Sequence, residues 1–147
     1  MEDIIVTSDN RMSFVNVDLI ARSLTIEPAL GVVKFKSINV TLFILANDGS
    51  GIETTCDCYA GTTIDVGLNL KVGYNLSGSN INVRDDLTVG RYIHSGNDVI
   101  AGFEIFAGYD IKATHSVKAG YNVIAGYGVN VGKDITSNTG IVAGSGA

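Results

Sequence analysis

The sequence predicts an all-β fold: a three-sided parallel β-helix (solenoid) of about five 18-residue coils over residues 56–147, behind an N-terminal β-rich capping segment over residues 1–55. Three observations carry that prediction. Of the 18 glycines, residues 1–55 hold three and residues 56–147 hold fifteen. In the second stretch glycines stand at 61, 67, 73, 78, 90, 96, 102, 108, 120, 126, 132 and 144, at intervals of six or its multiples apart from the step from Gly73 to Gly78. The apolar residues keep the same beat, which is neither the 3.6 of a helix nor an unbroken alternation.

The N-terminal segment lacks that beat. Val15, Val17 and Leu19 alternate, as do Ile38, Val40, Leu42, Ile44 and Ala46, and both runs read as β-strands. Asp18 to Ile26 also fits a short helix. The first coil of a solenoid presents open strand edges that invite pairing with other chains, so residues 1–55 are expected to cover it.

From Cys56 onward the unit is aliphatic-x-(Ala/Val)-Gly-x-(Asn/Asp). The larger aliphatics are Ile64, Leu70, Leu76, Ile81, Leu87, Ile93, Val99, Ile105, Ile111, Val117, Val123, Val129, Ile135 and Ile141. Small or β-branched residues such as Ala101, Ala107 and Ala125 precede the glycines. Each unit is a short strand with two inward side chains, then a corner, where Gly and Asn are expected to supply positive φ. Three units close a coil, and each strand pairs in parallel with its equivalent one coil away. At ~4.8 Å between strands, five coils make a prism roughly 20–25 Å tall. A lone coil cannot hold itself: its three aliphatics contribute about 5–9 kcal/mol against the backbone entropy of eighteen residues, so stacking must stabilise it.

Composition narrows the function classes. The chain has 147 residues, of which DEKR make up 17%, and a formal net charge of −5. That charge argues against direct nucleic-acid binding through the phosphate backbone. No apolar run is long enough to span a membrane, the longest being Val40 to Ala46. The acidic Met1-Glu2-Asp3 start shows no secretory signal, and two cysteines make no disulfide framework, so a cytoplasmic location is expected.

The run Val66-Gly67-Leu68-Asn69-Leu70-Lys71-Val72-Gly73-Tyr74-Asn75-Leu76, with Ala119-Gly120-Tyr121-Asn122-Val123-Ile124-Ala125-Gly126, resembles the hexapeptide-repeat, left-handed parallel β-helix family. The resemblance covers about the last 90 residues and implies the handedness of the coil. It also brings trimeric acyltransferase chemistry into view, which typically uses a histidine between subunits. The candidate bases are then His94 and His115. The repeat, however, runs from Gly78 to Gly144 without the loop insertion on which such sites are built.

Other motifs carry less. Two histidines cannot make a three-histidine zinc site, and Cys56-x-Cys58 has no further ligand at metal spacing; on a strand the two thiols would point the same way, with Cys58 inward. Gly126-x-Gly128 does not match a dinucleotide fingerprint. No metal and no cofactor are expected. Stacking at eighteen residues places Phe103 with Tyr121, and aligns Phe106, Ile124 and Val142 as outward residues between inward ones. A neighbouring column runs Tyr74, Arg91 with Tyr92, Tyr109 and Tyr127. Asp98, Ser116 and Asp134 share a face, and Asp86 stacks with Glu104.

These patterns support a non-enzymatic β-solenoid that binds protein, either a second copy in a homo-oligomer or another partner. The expected surfaces are an apolar aromatic face (Phe103, Phe106, Tyr109, Tyr121, Ile124, Tyr127, Val142) and an uncapped C-terminal coil. The alternatives are the acyltransferase and a small acidic inhibitory decoy, of viral or mobile-element type, directed at a larger protein machine.

Overall fold

Strands of three to five residues recur along the whole chain in the computed structural model, which describes residues 1–144. They assemble into three parallel sheets. Sheet 1 has eight strands, from Asp3–Val6 to Asp134–Ser137; sheet 2 has seven, from Gly31–Phe35 to Gly140–Ala143; sheet 3 has seven, from Asp18–Ala21 to Val129–Val131. Successive strands visit sheets 1, 2 and 3 in turn, so the chain winds as a three-sided solenoid of about eight turns.

The core is three aliphatic ladders fixed by strand register. Ile44, Ile64, Ile81, Val99 and Val117 stack inside sheet 1. Ile52, Leu70, Leu87, Ile105 and Val123 stack inside sheet 2, and Ile38, Cys58, Leu76, Ile93 and Ile111 inside sheet 3. All of these are buried. Each aliphatic adds about 1.5–3 kcal/mol of burial that exists only because a coil lies above and below.

Residues 1–55 are β-rich, as expected, and they are also coils of the same stack. Ser37–Val40, Ile44–Ala46 and Ser50–Thr54 pair directly with the first strands of the repeat region. Residues 18–26 form two strands, Asp18–Ala21 and Ser23–Ile26, and not a helix. Equivalent inward positions here lie further apart, Leu24, Ile44 and Ile64 being twenty residues from one to the next. The longer corners hide the six-residue beat without changing the fold.

Covering of the first coil falls to one short segment. Between the first strands of sheets 1 and 3, where a sheet 2 strand would stand, the chain makes a 3-10 turn, Arg11–Phe14. The Arg11 guanidinium donates to the carbonyls of Leu30 and Val32, on the outer edge of sheet 2. The Phe14 ring packs 5.7 Å from that of Phe35. At the opposite corner, between sheets 3 and 1, Arg22 Nε donates to Asp3 Oδ1 at 2.9 Å and Ser23 Oγ donates to the same oxygen at 2.7 Å, and these contacts, the Arg22 bond first, hold the Asp3 carboxyl down at about 2.

Two readings of the corners change. Positive φ among the described glycines is confined to Gly31 and Gly49. Most of the repeat glycines are instead demanded by close approach: a Cβ on Gly108 would stand 2.0 Å from the carbonyl oxygen of Gly90 in the coil below, whereas one on Gly96 or Gly140 would meet nothing nearer than 3.5 Å. Gly78 is no corner residue at all. It ends the strand Leu76–Gly78, is buried, and takes the small inward position opposite Ser95. That is where the repeat loses one residue.

The Asn/Asp position serves the corner by hydrogen bonding. Asn69 Oδ1 accepts from the Asp86 N–H at 3.0 Å, Asp86 Oδ1 from Glu104 at 3.1 Å, and Asp110 Oδ1 from Gly128 at 2.9 Å. Each bond spans one coil and satisfies a backbone donor that the sheets cannot reach.

Candidate interaction face

The outward side of sheet 2 is divided along its length. Register stacks Lys34, Glu53, Lys71, Thr88, Phe106, Ile124 and Val142 in one central column. In the N-terminal half the column is charged, with Lys34 and Lys71 each 3.9 Å from the Glu53 carboxylate between them. From Phe106 onward it is apolar. Phe106 and Val142 are exposed, and Ile124 is half-buried between them.

Aromatic rings line both corners of the apolar half. On the corner from sheet 1, Phe103 and Tyr121 stack at 5.3 Å with an interplanar angle of 10°. On the corner toward sheet 3, Tyr109 lies 5.2 Å from Tyr127 and 5.4 Å from Tyr92. One coil earlier, the Arg91 guanidinium sits 4.4 Å above the Tyr74 ring. Phe103 and Tyr121 cover one another's ring faces, whereas Tyr92 meets Tyr109 edge-on at 68° and Tyr109 meets Tyr127 at 34°. The sequence-predicted residues Phe103, Phe106, Tyr109, Tyr121, Ile124, Tyr127 and Val142 are thus brought together on one surface.

Neither other sheet offers an equivalent. The central outward column of sheet 1 reads Ile5, Thr25, Leu45, Asp65, Asn82, Ile100, Lys118, Thr136. That of sheet 3 reads Ile20, Asn39, Tyr59, Ser77, His94, Lys112, Asn130. Three consecutive apolar side chains occur only on sheet 2 among these columns. Comparison with family models, curated proteins and solved structures returned no match, so the surface has to be read from its own chemistry.

The candidate bases do not converge. His94 lies on the outward side of sheet 3 beside a shallow depression lined by Tyr59, Ser77 and Gly96. His115 stands at the corner between sheets 3 and 1, with Nδ1 2.7 Å from Asp98 Oδ1. Ser116 Oγ approaches that same Nδ1, at 3.5 Å. A nucleophilic triad needs its serine on the opposite ring nitrogen, so these three groups do not form one. Asp98 Oδ1 also accepts from the Ser116 N–H at 3.1 Å, which makes it another corner cap.

Cys58 occupies the inward ladder of sheet 3, and burial pushes its thiol up to about 12. Cys56 lies in the preceding corner, half-buried, so the two thiols do not share a strand face as expected. Among the described residues no three His, Cys, Asp or Glu side chains converge as metal ligands. Among the described residues no helix is long and apolar enough to cross a membrane.

In the last described coil the inward positions are less buried. Val129, Val131 and Ile135 are half-buried and Ile141 is exposed, whereas Val123 and Ala125 one coil earlier are buried. Sequence reasoning located the apolar face. It missed Arg11 and Phe14, and the Lys34 and Glu53 part of the column, because none of these lies on the six-residue beat.

Proposed function

We propose that this chain is a non-enzymatic β-solenoid that works by binding protein through the C-terminal half of sheet 2. The observation that carries the reading is the column Phe106, Ile124, Val142 between two aromatic corners. A regular sheet holds these side chains in fixed positions, so little conformational entropy is lost when a partner covers them. Contiguous exposed apolar surface of this kind marks an interface more often than a solvated face. The free thiols Cys56 and Cys58 fit a reducing cytoplasm.

The test is solution mass across protein concentration for the wild type and for the double variant Phe106→Asp, Ile124→Asp. Association that the double variant abolishes, with an unchanged circular-dichroism spectrum, supports the reading. Association unaffected by both substitutions rejects this face.

One observation favours the acyltransferase alternative: the His115–Asp98 contact orients an imidazole. Its test is acyl-donor binding by the wild type and by His115→Ala. The decoy reading loses part of its support, since Asp86, Asp98 and Asp110 cap corners of the fold.

A further inference from the structure

The proposed face leaves open what covers it and in which orientation. We infer that its occupant is a second copy of this chain, packed sheet 2 against sheet 2 with the two solenoid axes antiparallel and only the C-terminal halves overlapping. This inference rests on the reading of sheet 2 as an interface, and it adds the partner and the geometry.

Charge selects the orientation. If the two axes ran parallel, every level of the central column would meet its own copy. Lys71 would then face Lys71, Glu53 would face Glu53 and Lys34 would face Lys34 across the interface. Like charges directly opposite are unfavourable, and here they would also lose solvent. A two-fold axis along the strand direction, between the levels of Phe106 and Ile124, removes every such pairing. Phe106 then meets Ile124 of the second copy and Thr88 meets Val142, and no charged residue of the column meets its own copy.

The same operator matches the aromatic corners. Each corner meets its own counterpart reversed, so Phe103 faces Tyr121 and Tyr109 faces Tyr127 of the second copy. The contact is isologous and closed, giving a dimer and no filament.

The area is of the right order. Five rings (Phe103, Phe106, Tyr109, Tyr121, Tyr127) are each 38–51% exposed. At ~150–250 Å² per aromatic side chain they contribute roughly 400 Å² per copy, about half of the ~800 Å² that a stable pair buries on each side. Ile124, Val142, Thr88 and the backbone between them supply further contact.

The experiment combines solution mass with disulfide trapping in a Cys56→Ser background. Sedimentation of the wild type is expected to give twice the 15.4 kDa chain mass. Mixing Thr88→Cys with Val142→Cys chains under mild oxidant is expected to give the mixed 88–142 disulfide dimer, with little of either like pair. Predominant 88–88 and 142–142 dimers would overturn the antiparallel geometry while keeping the face as an interface. A wild-type dimer that survives Phe106→Asp with Ile124→Asp, and traps no pair at these sites, would reject both the geometry and the face. A monomer throughout the accessible concentration range would overturn the second copy as occupant and leave a different protein as the partner to seek. Phe106→Ser with Ile124→Thr is the companion variant should the aspartates unfold the chain; it is expected to weaken dimerisation at least tenfold.

Discussion

A Cβ on Gly120 would lie 1.8 Å from the carbonyl oxygen of Gly102, its equivalent one coil below. No rotamer relieves that contact, because both atoms belong to backbone-fixed positions. Gly96 occupies the same place in its own repeat, yet a Cβ there meets only Ser79 Cα at 3.5 Å. Gly120→Ala is therefore expected to destabilise the fold by about 1–3 kcal/mol or more through overpacking. Gly96→Ala is expected to be neutral or to stabilise by about 0.4–1 kcal/mol, since its φ lies outside the left-handed range and alanine restricts the unfolded chain. Urea unfolding of the two variants checks both. Equal losses at the two sites would show that the neighbouring coil does not set the requirement.

The Phe103 and Tyr121 rings stack almost in parallel at 5.3 Å. Phe103→Ala and Tyr121→Ala are outward substitutions on adjacent coils, so each removes one half of a single contact. A double-mutant cycle on unfolding free energy is expected to give a coupling of about 0.5–1.5 kcal/mol. A cycle that closes to zero would mean that the rings hold no energy within the monomer and are placed for a partner alone.

Asp3 supplies a pH prediction. Its carboxyl lies at about 2, against an ordinary 3.8, because Arg22 and Ser23 donate to it. The folded chain therefore holds that proton less tightly than the unfolded one. The resulting stabilisation is fully present above the ordinary value and is lost as pH falls through 3.8 to about 2. The melting temperature of Arg22→Gln should lie below that of wild type at pH 6, and most of that gap should close by pH 2. A gap at pH 2 as large as at pH 6 would assign the role of Arg22 to packing.

The inward ladders and the apolar face were legible because a solenoid copies its geometry into sequence: one six-residue register fixes both the buried and the outward position of every strand. Phe106 and Ile124 could be aligned from spacing alone. The first coils were legible only as strands, since their equivalent positions lie nineteen or twenty residues apart and no short motif marks a corner of variable length. Corner chemistry misled in a different way. Glycine and asparagine suggested positive φ, but the glycines answer to a carbonyl eighteen residues earlier, and Asn69 and Asp110 to a backbone N–H about one coil later. Such constraints lie between coils and leave no trace within one repeat. The Gly78 deletion was visible in spacing, yet only strand register shows that the glycine moved from corner to core.

The last prediction concerns the closed end of the stack. Arg11 donates to the carbonyl of Val32 in the edge strand Gly31–Phe35 and to that of Leu30 just before it, and Phe14 packs on Phe35. Together they occupy the place of a missing sheet 2 strand, so removing them exposes a parallel edge with free carbonyls. Arg11→Ala is expected to cost about 1–2 kcal/mol for the two charge-assisted hydrogen bonds. Adding Phe14→Ala should cost more, and it should also convert the end into a surface that captures other strands. The double variant is therefore expected to form larger, concentration-dependent species that the sheet 2 substitutions Phe106→Asp and Ile124→Asp do not abolish. If it loses stability but gains no mass, the turn contributes packing to the first coil and does not guard its edge. If it gains mass and the sheet 2 substitutions abolish that gain, the new species form through the apolar face, and the edge at Gly31–Phe35 is protected by something other than Arg11.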